Sequence, residues 1–309
     1  MRKYLIVSKV SYLFPGQGSQ YAGMGKSLAE AHAEARNVFA EADEALGFSL
    51  STLCFDGPEE ELKKTENTQP AILTASVAAW RVMRAQGGMP DFVAGHSLGE
   101  YSAIVAAGGL AFADAVRLVR KRGQFMQQAV PQGVGAMAAL LKLPEGKLDG
   151  ILAEAAQGEV VSAANLNSPD QIVIAGHAGA VARAMELAKA AGAKRAVPLP
   201  VSAPFHCALM KPAQERMKVE LDAVDFHDLD VPLVNNWQAR VVRSAAEARL
   251  GLLEQIPNPV QWVATLRLLA AEGVARGYEL GPGAVLSGLT KQTEPGIEMA
   301  KRGEAKDFE

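Results

Sequence analysis

The stretch Asp91-Phe92-Val93-Ala94-Gly95-His96-Ser97-Leu98-Gly99-Glu100-Tyr101 constrains this chain more than any other. Phe92 to Ala94 is a short apolar run that reads as a buried strand. From Leu98 the apolar residues Leu98, Tyr101, Ile104 and Val105 recur at helical spacing until Gly108-Gly109 stops them. Between the two lies Gly95-x-Ser97-x-Gly99, the pattern of a sharp strand-to-helix turn that presents a serine hydroxyl. The glycines are needed because strand and helix approach so closely there that a Cβ on either flank would collide. The backbone N–H of Leu98 opens the helix, where free donors and the helix dipole stabilise a developing oxyanion. The three-residue pattern alone is a weak signal. Its context, a strand directly before and a helix directly after, makes Ser97 a candidate nucleophile rather than a turn serine.

A chain of 309 residues has the length for one large or two modest domains with a real core. Its 49% hydrophobic and 21% charged residues are ordinary for a globular protein. A formal net charge of -3 gives no reason to expect nucleic acid or an anionic membrane as partner. Cys54 and Cys207 lie far apart, which fits a reduced protein without disulfides or a cysteine-based metal site. Met1 to Val10 carries charges at both ends and too short an apolar run for a signal peptide, and no stretch is long enough to span a bilayer. A soluble, cytoplasmic protein is expected.

Tyr12-Leu13-Phe14 reads as a strand running into the Gly-rich loop Pro15-Gly16-Gln17-Gly18-Ser19-Gln20. Lys26 is misplaced for a P-loop, and the spacing is not that of a dinucleotide site. The loop is either a tight connection into a helix over 27–46 or a second backbone loop that stabilises an anion. A helix is expected from Pro70 to Gln86, ended by Gly87-Gly88; strand then alternates with helix, which predicts a parallel sheet. In the next helix, Phe112 to Val130, the residues Ala115, Leu118, Val119, Phe125, Met126 and Ala129 mark the inward face. Arg122 falls on that face, whereas Arg117, Arg120 and Lys121 lie mostly off it. An inward guanidinium is costly unless paired. Arg122 is therefore a candidate receptor for a carboxylate, or one half of an internal salt bridge.

From Pro131 the texture changes. The pattern predicts a strand over Gly133–Leu143, a helix over Pro144–Gln157, strands over Glu159–Asn165 and Gln171–Ala175, a helix over Gly179–Ala191 and a strand over Lys194–Leu199. This β-α-β-β-α-β order is the ferredoxin-like unit, so 131–202 is expected to be an inserted subdomain between the 1–130 and 203–309 parts of an α/β catalytic domain. The loop Val201 to Cys207 then carries His206. Among the histidines, His32 lies in a polar helix, His177 in a turn, His227 among acidic residues, and His96 beside the serine with its side chain directed elsewhere. His206, where the chain returns from the insertion, is the best base for Ser97. Cys207 is a poorer nucleophile candidate, because no second histidine accompanies it. Farther on, Val231–Val234 reads as a strand, Asn258 as the cap of a helix with Pro259 in its first turn running to about Glu272, and Tyr278–Leu280 as the last strand. The charged tail from Lys301 is expected to be mobile.

Gly95-His96-Ser97-Leu98-Gly99-Glu100-Tyr101 and Phe14-Pro15-Gly16-Gln17-Gly18-Ser19-Gln20 on one chain resemble the malonyl-CoA:acyl carrier protein transacylase family of bacterial fatty-acid synthesis. The resemblance covers about Tyr12 to Lys291. It implies an α/β-hydrolase-like large domain with a parallel sheet and a ferredoxin-like insertion, in agreement with the order of elements above. It also implies Ser97 as the acylated nucleophile and His206 as its base. The backbone N–H groups of Gln17 and Leu98 would form the oxyanion hole, and Arg122 would receive the free malonyl carboxylate. Gln261 would orient His206 through its backbone carbonyl, and Asn165 would lie near the acyl pocket. Two features depart from the usual pattern: Met1 to Ser11 is a long lead-in, and Phe205 places an aromatic ring where it should narrow the pocket around the malonyl α-carbon. The implied substrates are malonyl-CoA and phosphopantetheinyl acyl carrier protein, with no metal or cofactor, and a monomer is expected. A serine esterase or thioesterase would use the same nucleophile with water, but needs no carboxylate receptor. A silent carrier-protein-binding scaffold would have no need of both Ser97 and His206. A role in polyketide synthesis is not separated from one in fatty-acid synthesis by these residues.

Overall fold

The computed structural model describes residues 8–201 and 203–309. The lead-in noted at Met1 to Ser11 falls mostly outside them. The strands are β1 (Lys9–Phe14), β2 (Phe92–Gly95), β3 (Gly135–Leu141), β4 (Val161–Ser168), β5 (Gln171–His177), β6 (Arg195–Pro198), β7 (Leu233–Val234), β8 (Val241–Val242), β9 (Val274–Leu280) and β10 (Glu298–Arg302). Six of them form one sheet in the order β10-β9-β1-β2-β7-β8. All its neighbours are parallel except β7 and β8. Helices cover it, so its central strands are buried over most of their length, as Ser11 to Phe14 of β1 and Phe92 to Gly95 of β2 show.

The helix Thr65–Ala85 lies buried along most of its length and packs beside the helix Phe112–Gln128. It begins well before Pro70, where the sequence had suggested its start. Pro70 is the sixth residue of this helix, so its missing N–H forfeits one intrahelical bond. Gly123 of the neighbouring helix packs on this first turn, where a Cβ would sit 2.7 Å from the Thr65 carbonyl oxygen. The expected helix over 27–46 is broken: Lys26–Ala31 and Ala33–Leu46 are separated by His32 in an extended conformation.

The other sheet is antiparallel, in the order β4-β5-β3-β6. With the helices Leu148–Ala156 and Ala178–Ala190 its elements follow one another as β-α-β-β-α-β. Those helices bury Ile151, Ala155, Val181, Ala184 and Ala188 against Ala138, Leu140 and Ile174 of the sheet. The two sheets are tied together by an unexpected contact. Val260 pairs with Asn165 of β4 as an isolated parallel bridge, donating to the Ala164 carbonyl (2.9 Å) and accepting from the Leu166 amide (2.9 Å). Asn258 and Pro259 therefore do not start a helix; extended backbone at Val260 delays it to Trp262–Ala271, with Gln261 at its cap. The tail is also more ordered than its charge suggested. β10 extends the sheet, and Glu304 accepts hydrogen bonds from the Tyr21 and Ser27 hydroxyls.

Three glycines make the central turn possible. A Cβ on Gly95 would lie 1.9 Å from the Gly99 carbonyl, one on Gly99 2.0 Å from the Phe14 carbonyl oxygen, and one on Gly16 2.4 Å from the His96 carbonyl oxygen. All three neighbours are backbone, which cannot swing aside. Gly150, within the helix Leu148–Ala156, meets nothing within 4 Å. Gly99→Ala is expected to lower the melting temperature sharply, by overpacking of about 3 kcal/mol or more. Gly150→Ala should be neutral or stabilising by up to about 1 kcal/mol. Thermal melts of the two variants check the pair, and an unchanged Gly99→Ala melt would contradict the close approach.

Candidate active site

Ser97 occupies the bend between β2 and the helix Gly99–Ala106 with φ 52°, a left-handed conformation that a non-glycine residue adopts only under external constraint. Asn236 supplies that constraint from both flanks. Its Oδ1 accepts the Ser97 amide at 2.6 Å, and its Nδ2 donates to the Gly95 carbonyl. The hydroxyl is thereby held out of the turn toward His206, whose Nε2 lies 2.7 Å from Ser97 Oγ. His206 also has a positive φ, 58°, in the short loop that returns from the second sheet.

His206 Nδ1 lies 2.8 Å from the carbonyl oxygen of Gln255. The carbonyl can only accept, so Nδ1 carries the proton and Nε2 is free to accept the serine proton. Gln261, to which the resemblance assigned this task, does not perform it. Its carbonyl accepts the Thr265 amide at 2.9 Å in the first turn of its helix, and its own amide donates to Asn236. Gln255 instead closes the helix Ala245–Glu254, where terminal carbonyls have no intrahelical donor left. The shift of six positions follows from the misread helix start: the segment around Val260 is a strand partner of β4, and the orphan carbonyl lies one helix earlier.

Arg122 is 1% exposed. Its Nη1 donates to Gln69 Oε1 (2.7 Å), and its Nη2 to Gln255 Oε1 (2.9 Å) and Ser97 Oγ (3.1 Å). Every partner is neutral. Of the two sequence readings, an internal salt bridge is not what the described residues show. Gln255 Nε2 further donates to Glu100 Oε2 (2.9 Å) and to the Ser97 carbonyl (3.2 Å), so one amide touches the nucleophile, the arginine and a buried carboxyl.

Gln17 and Leu98 line the same pocket as Ser97 and His206. The Gly-rich loop is held there by Gly16 against His96 and by Gln17 Nε2 donating to Thr65 Oγ1 at 3.3 Å. The pocket encloses about 590 Å³, with Met126, Met137, Leu199, Val201 and Phe205 as its apolar lining and Asn165 at its edge. Phe205 and Asn165 both line this pocket with Ser97 and Arg122. His96 turns away from the serine to Asn167 Oδ1, 2.7 Å from its Nε2. Cys207 and Cys54 are buried free thiols, and burial raises the Cys207 thiol to about 11, far from a reactive thiolate. Burial, aided by the positive field of Arg122, pushes His206 down to about 3. The imidazole is neutral and ready to accept a proton.

An elbow serine, a neutral histidine and an inward arginine around one pocket define a serine acyltransferase site. A family model for the acyl transferase domain matches residues 11–298, and the chain belongs to that family. Malonyl CoA-acyl carrier protein transacylase of Salmonella typhimurium is 54% identical over 287 residues, covering 93% of each chain. The Bacillus subtilis protein of the same name is 53% identical over 93% of this chain and 90% of its own. An acyl carrier protein S-malonyltransferase from Vibrio cholerae superposes with a TM-score of 0.95 at 48% identity, covering 97% of this chain and 99% of that one. A malonyl-transacylase solved in complex with its type II polyketide-synthase acyl carrier protein has the same TM-score and identity, with coverage of 97% and 98%.

Sequence reasoning missed Gln255, Gln69, Asn236 and Glu100. Glu100 was in plain view within the serine motif, but alternation of strand and helix gives no reason to bury it. For Gln255 the available signal was Pro257, which disfavours helix at the preceding residue and so leaves unpaired carbonyls nearby. Gln255→Ala is expected to cost about 1–3 kcal/mol of stability by orphaning Arg122 and Glu100, whereas Gln261→Ala should stay within about 0.5 kcal/mol. Chemical denaturation of both variants measures this. A larger loss for Gln261→Ala would contradict the bridging role of the Gln255 side chain.

Proposed function

We propose that this protein transfers a malonyl group from malonyl-CoA to the phosphopantetheine thiol of acyl carrier protein through a malonyl ester on Ser97. The observation that carries this reading is Arg122: a buried guanidinium, without a carboxylate partner among the described residues, donating to the nucleophile itself. An acyl group on Ser97 that ends in a carboxylate would meet this fork at the end of the pocket. An esterase acting on neutral acyl groups would gain nothing from it and would bear its desolvation cost. Phe205 in the apolar lining favours the unsubstituted α-carbon of malonyl over branched acyl groups.

In this reading the Ser97 hydroxyl attacks the thioester carbonyl as His206 Nε2 takes its proton. The carbonyl oxygen gains the negative charge and is held by the backbone N–H groups of Gln17 and Leu98. The tetrahedral intermediate collapses, the C–S bond breaks, and the imidazolium returns its proton to the departing sulfur of CoA. The carrier-protein thiol then enters along the same path. Its proton passes to His206, its sulfur attacks the ester carbonyl, and the C–O bond to Ser97 breaks with reprotonation of the hydroxyl. Thioester, ester and thioester are exchanged without net oxidation, so neither metal nor bound cofactor is required. An adjoining cleft of about 680 Å³ shares Gln17, His96, Asn165 and Leu199 with the acyl pocket and continues past Asn167 and Leu289. This is a route for the pantetheine arm, and the segment 131–202, taken as an inserted subdomain, forms one wall of it.

Arg122→Ala should harm malonyl transfer far more than acetyl transfer, by roughly 2–5 kcal/mol in the ratio of kcat/KM values. Parallel assays with malonyl-CoA and acetyl-CoA measure it; equal losses would remove the carboxylate-receptor role. The neutral state of His206 gives a pH expectation too. Because its folded pKa is lowered from 6.5 to about 3, the base stays unprotonated as pH falls through the ordinary histidine range. The same shift contributes stability above about pH 6.5 that is lost as pH falls toward 3. kcat/KM for malonyl-CoA should therefore show no acid limb near pH 6.5 while the fold persists. A limb there would contradict the desolvated base.

A further inference from the structure

Glu100 is fully buried one position into the helix that follows Ser97, yet the acyl-transfer chemistry does not use it. Its Oε2 accepts from the two residues that build the site: the Asn236 amide at 3.2 Å and Gln255 Nε2 at 2.9 Å. Its Oε1 has no partner among the described residues and faces Gly251, where an added Cβ would lie 3.3 Å away. Arg122 is its mirror image, a buried cation bound among the described residues to neutral groups alone, with Nε unpartnered there. Gln255 joins the two. Its amide nitrogen donates to Glu100 and its amide oxygen accepts from Arg122, so the amide dipole is aligned between carboxylate and guanidinium.

The charged surroundings of Glu100 are few. Arg122 reaches it from the helix Phe112–Gln128 and favours its ionised form, and the Tyr101 phenol on its own helix is kept neutral by burial. The neighbouring segments contribute only neutral groups: Asn236 after β7, and Gly251 and Gln255 from the helix Ala245–Glu254 and its end. Where Glu100 is ionised, it balances Arg122 while the acyl pocket is empty. A malonyl carboxylate seated on Arg122 would leave two negative charges against one positive in a water-poor site, an arrangement relieved by protonating the carboxyl that has a free oxygen.

We propose that Glu100 and Arg122 form a proton-linked pair, in which Glu100 is the counter-charge of Arg122 in the empty site and takes a solvent proton on Oε1 when a carboxylated acyl group binds Arg122. The proposal rests on Arg122 being the malonyl receptor. Burial is the largest influence on Glu100 and raises it to about 8; the opposing influences are the Asn236 amide, Gln255 and the positive charge of Arg122. A carboxylate on Arg122 cancels that last influence and raises Glu100 further. Proton uptake on binding is therefore confined to pH near and above 8. Below it Glu100 is already protonated, with or without acyl group. Affinity for malonyl-CoA relative to acetyl-CoA should fall as pH rises through this window, by up to about tenfold per unit.

The experiment is calorimetric titration of the Ser97→Ala protein in buffers of different ionisation enthalpy, so that no CoA thiol is released to confuse the proton count. At about pH 8.5 malonyl-CoA should take up a substantial fraction of one proton more than acetyl-CoA does, and at about pH 6.5 the difference should vanish. Adding Glu100→Gln should abolish the difference at the higher pH, which a merely structural role for Glu100 would not produce. Equal proton counts for the two thioesters at both pH values, or a difference that survives Glu100→Gln, would overturn the proposal. If Glu100→Gln does not fold, the comparison of thioesters with Glu100 intact decides alone. Failure of malonyl-CoA to bind while acetyl-CoA binds would overturn the receptor role of Arg122 itself, a result separate from binding without proton uptake.

Discussion

A buried arginine with no ion-pair partner among the described residues is the constraint on which the site depends. Taking a guanidinium out of water costs several kcal/mol unless its donors are satisfied and its charge compensated. Here Gln69, Gln255 and Ser97 satisfy the terminal nitrogens of Arg122, and the amide of Gln255 links it to the buried carboxyl of Glu100. The same positive field helps to keep His206 deprotonated. Nucleophile, base and arginine are therefore one electrostatic unit, in which the proposed acyl carboxylate would be the direct counter-charge of Arg122.

Backbone geometry delivers the pieces. The left-handed Ser97 and His206 are each fixed from outside their own loops, Ser97 by Asn236 and His206 by the end of the helix Ala245–Glu254. Glycines at 16, 95 and 99 let the Gly-rich loop, β1 and the serine helix meet at backbone contact. That closeness brings Gln17 and Leu98 to one pocket, although 81 positions separate them in the chain. Val260, pairing with β4, docks the antiparallel sheet beside this centre and gives the pocket its far wall.

The parallel sheet, the β-α-β-β-α-β segment and the pairing of Ser97 with His206 were legible in the sequence because each has a local signature. Apolar runs mark buried strands, helical periodicity exposes an inward Arg122, and the serine elbow has its own glycine spacing. Contacts set by tertiary context were not legible. The carbonyl facing His206 belongs to Gln255 rather than Gln261, since no periodicity tells which helix end will face a distant loop. Pro259 looked like a helix start until Val260 was claimed by a strand of the other sheet, and Pro70 looked like one because helices rarely admit proline in their interior. The ordered tail shows the same limit. Its charges suggested solvent, but Glu304 is taken up by the Tyr21 and Ser27 hydroxyls.

The most direct test of the central claim, a malonyl ester on Ser97, is the intact mass of the protein after brief mixing with malonyl-CoA, with the Ser97→Ala variant alongside. A single malonyl adduct on the unsubstituted protein alone is expected, discharged far faster by phosphopantetheinyl acyl carrier protein than by water. An adduct that persists in Ser97→Ala, or one lost equally fast to water, would contradict the acyl-transfer account.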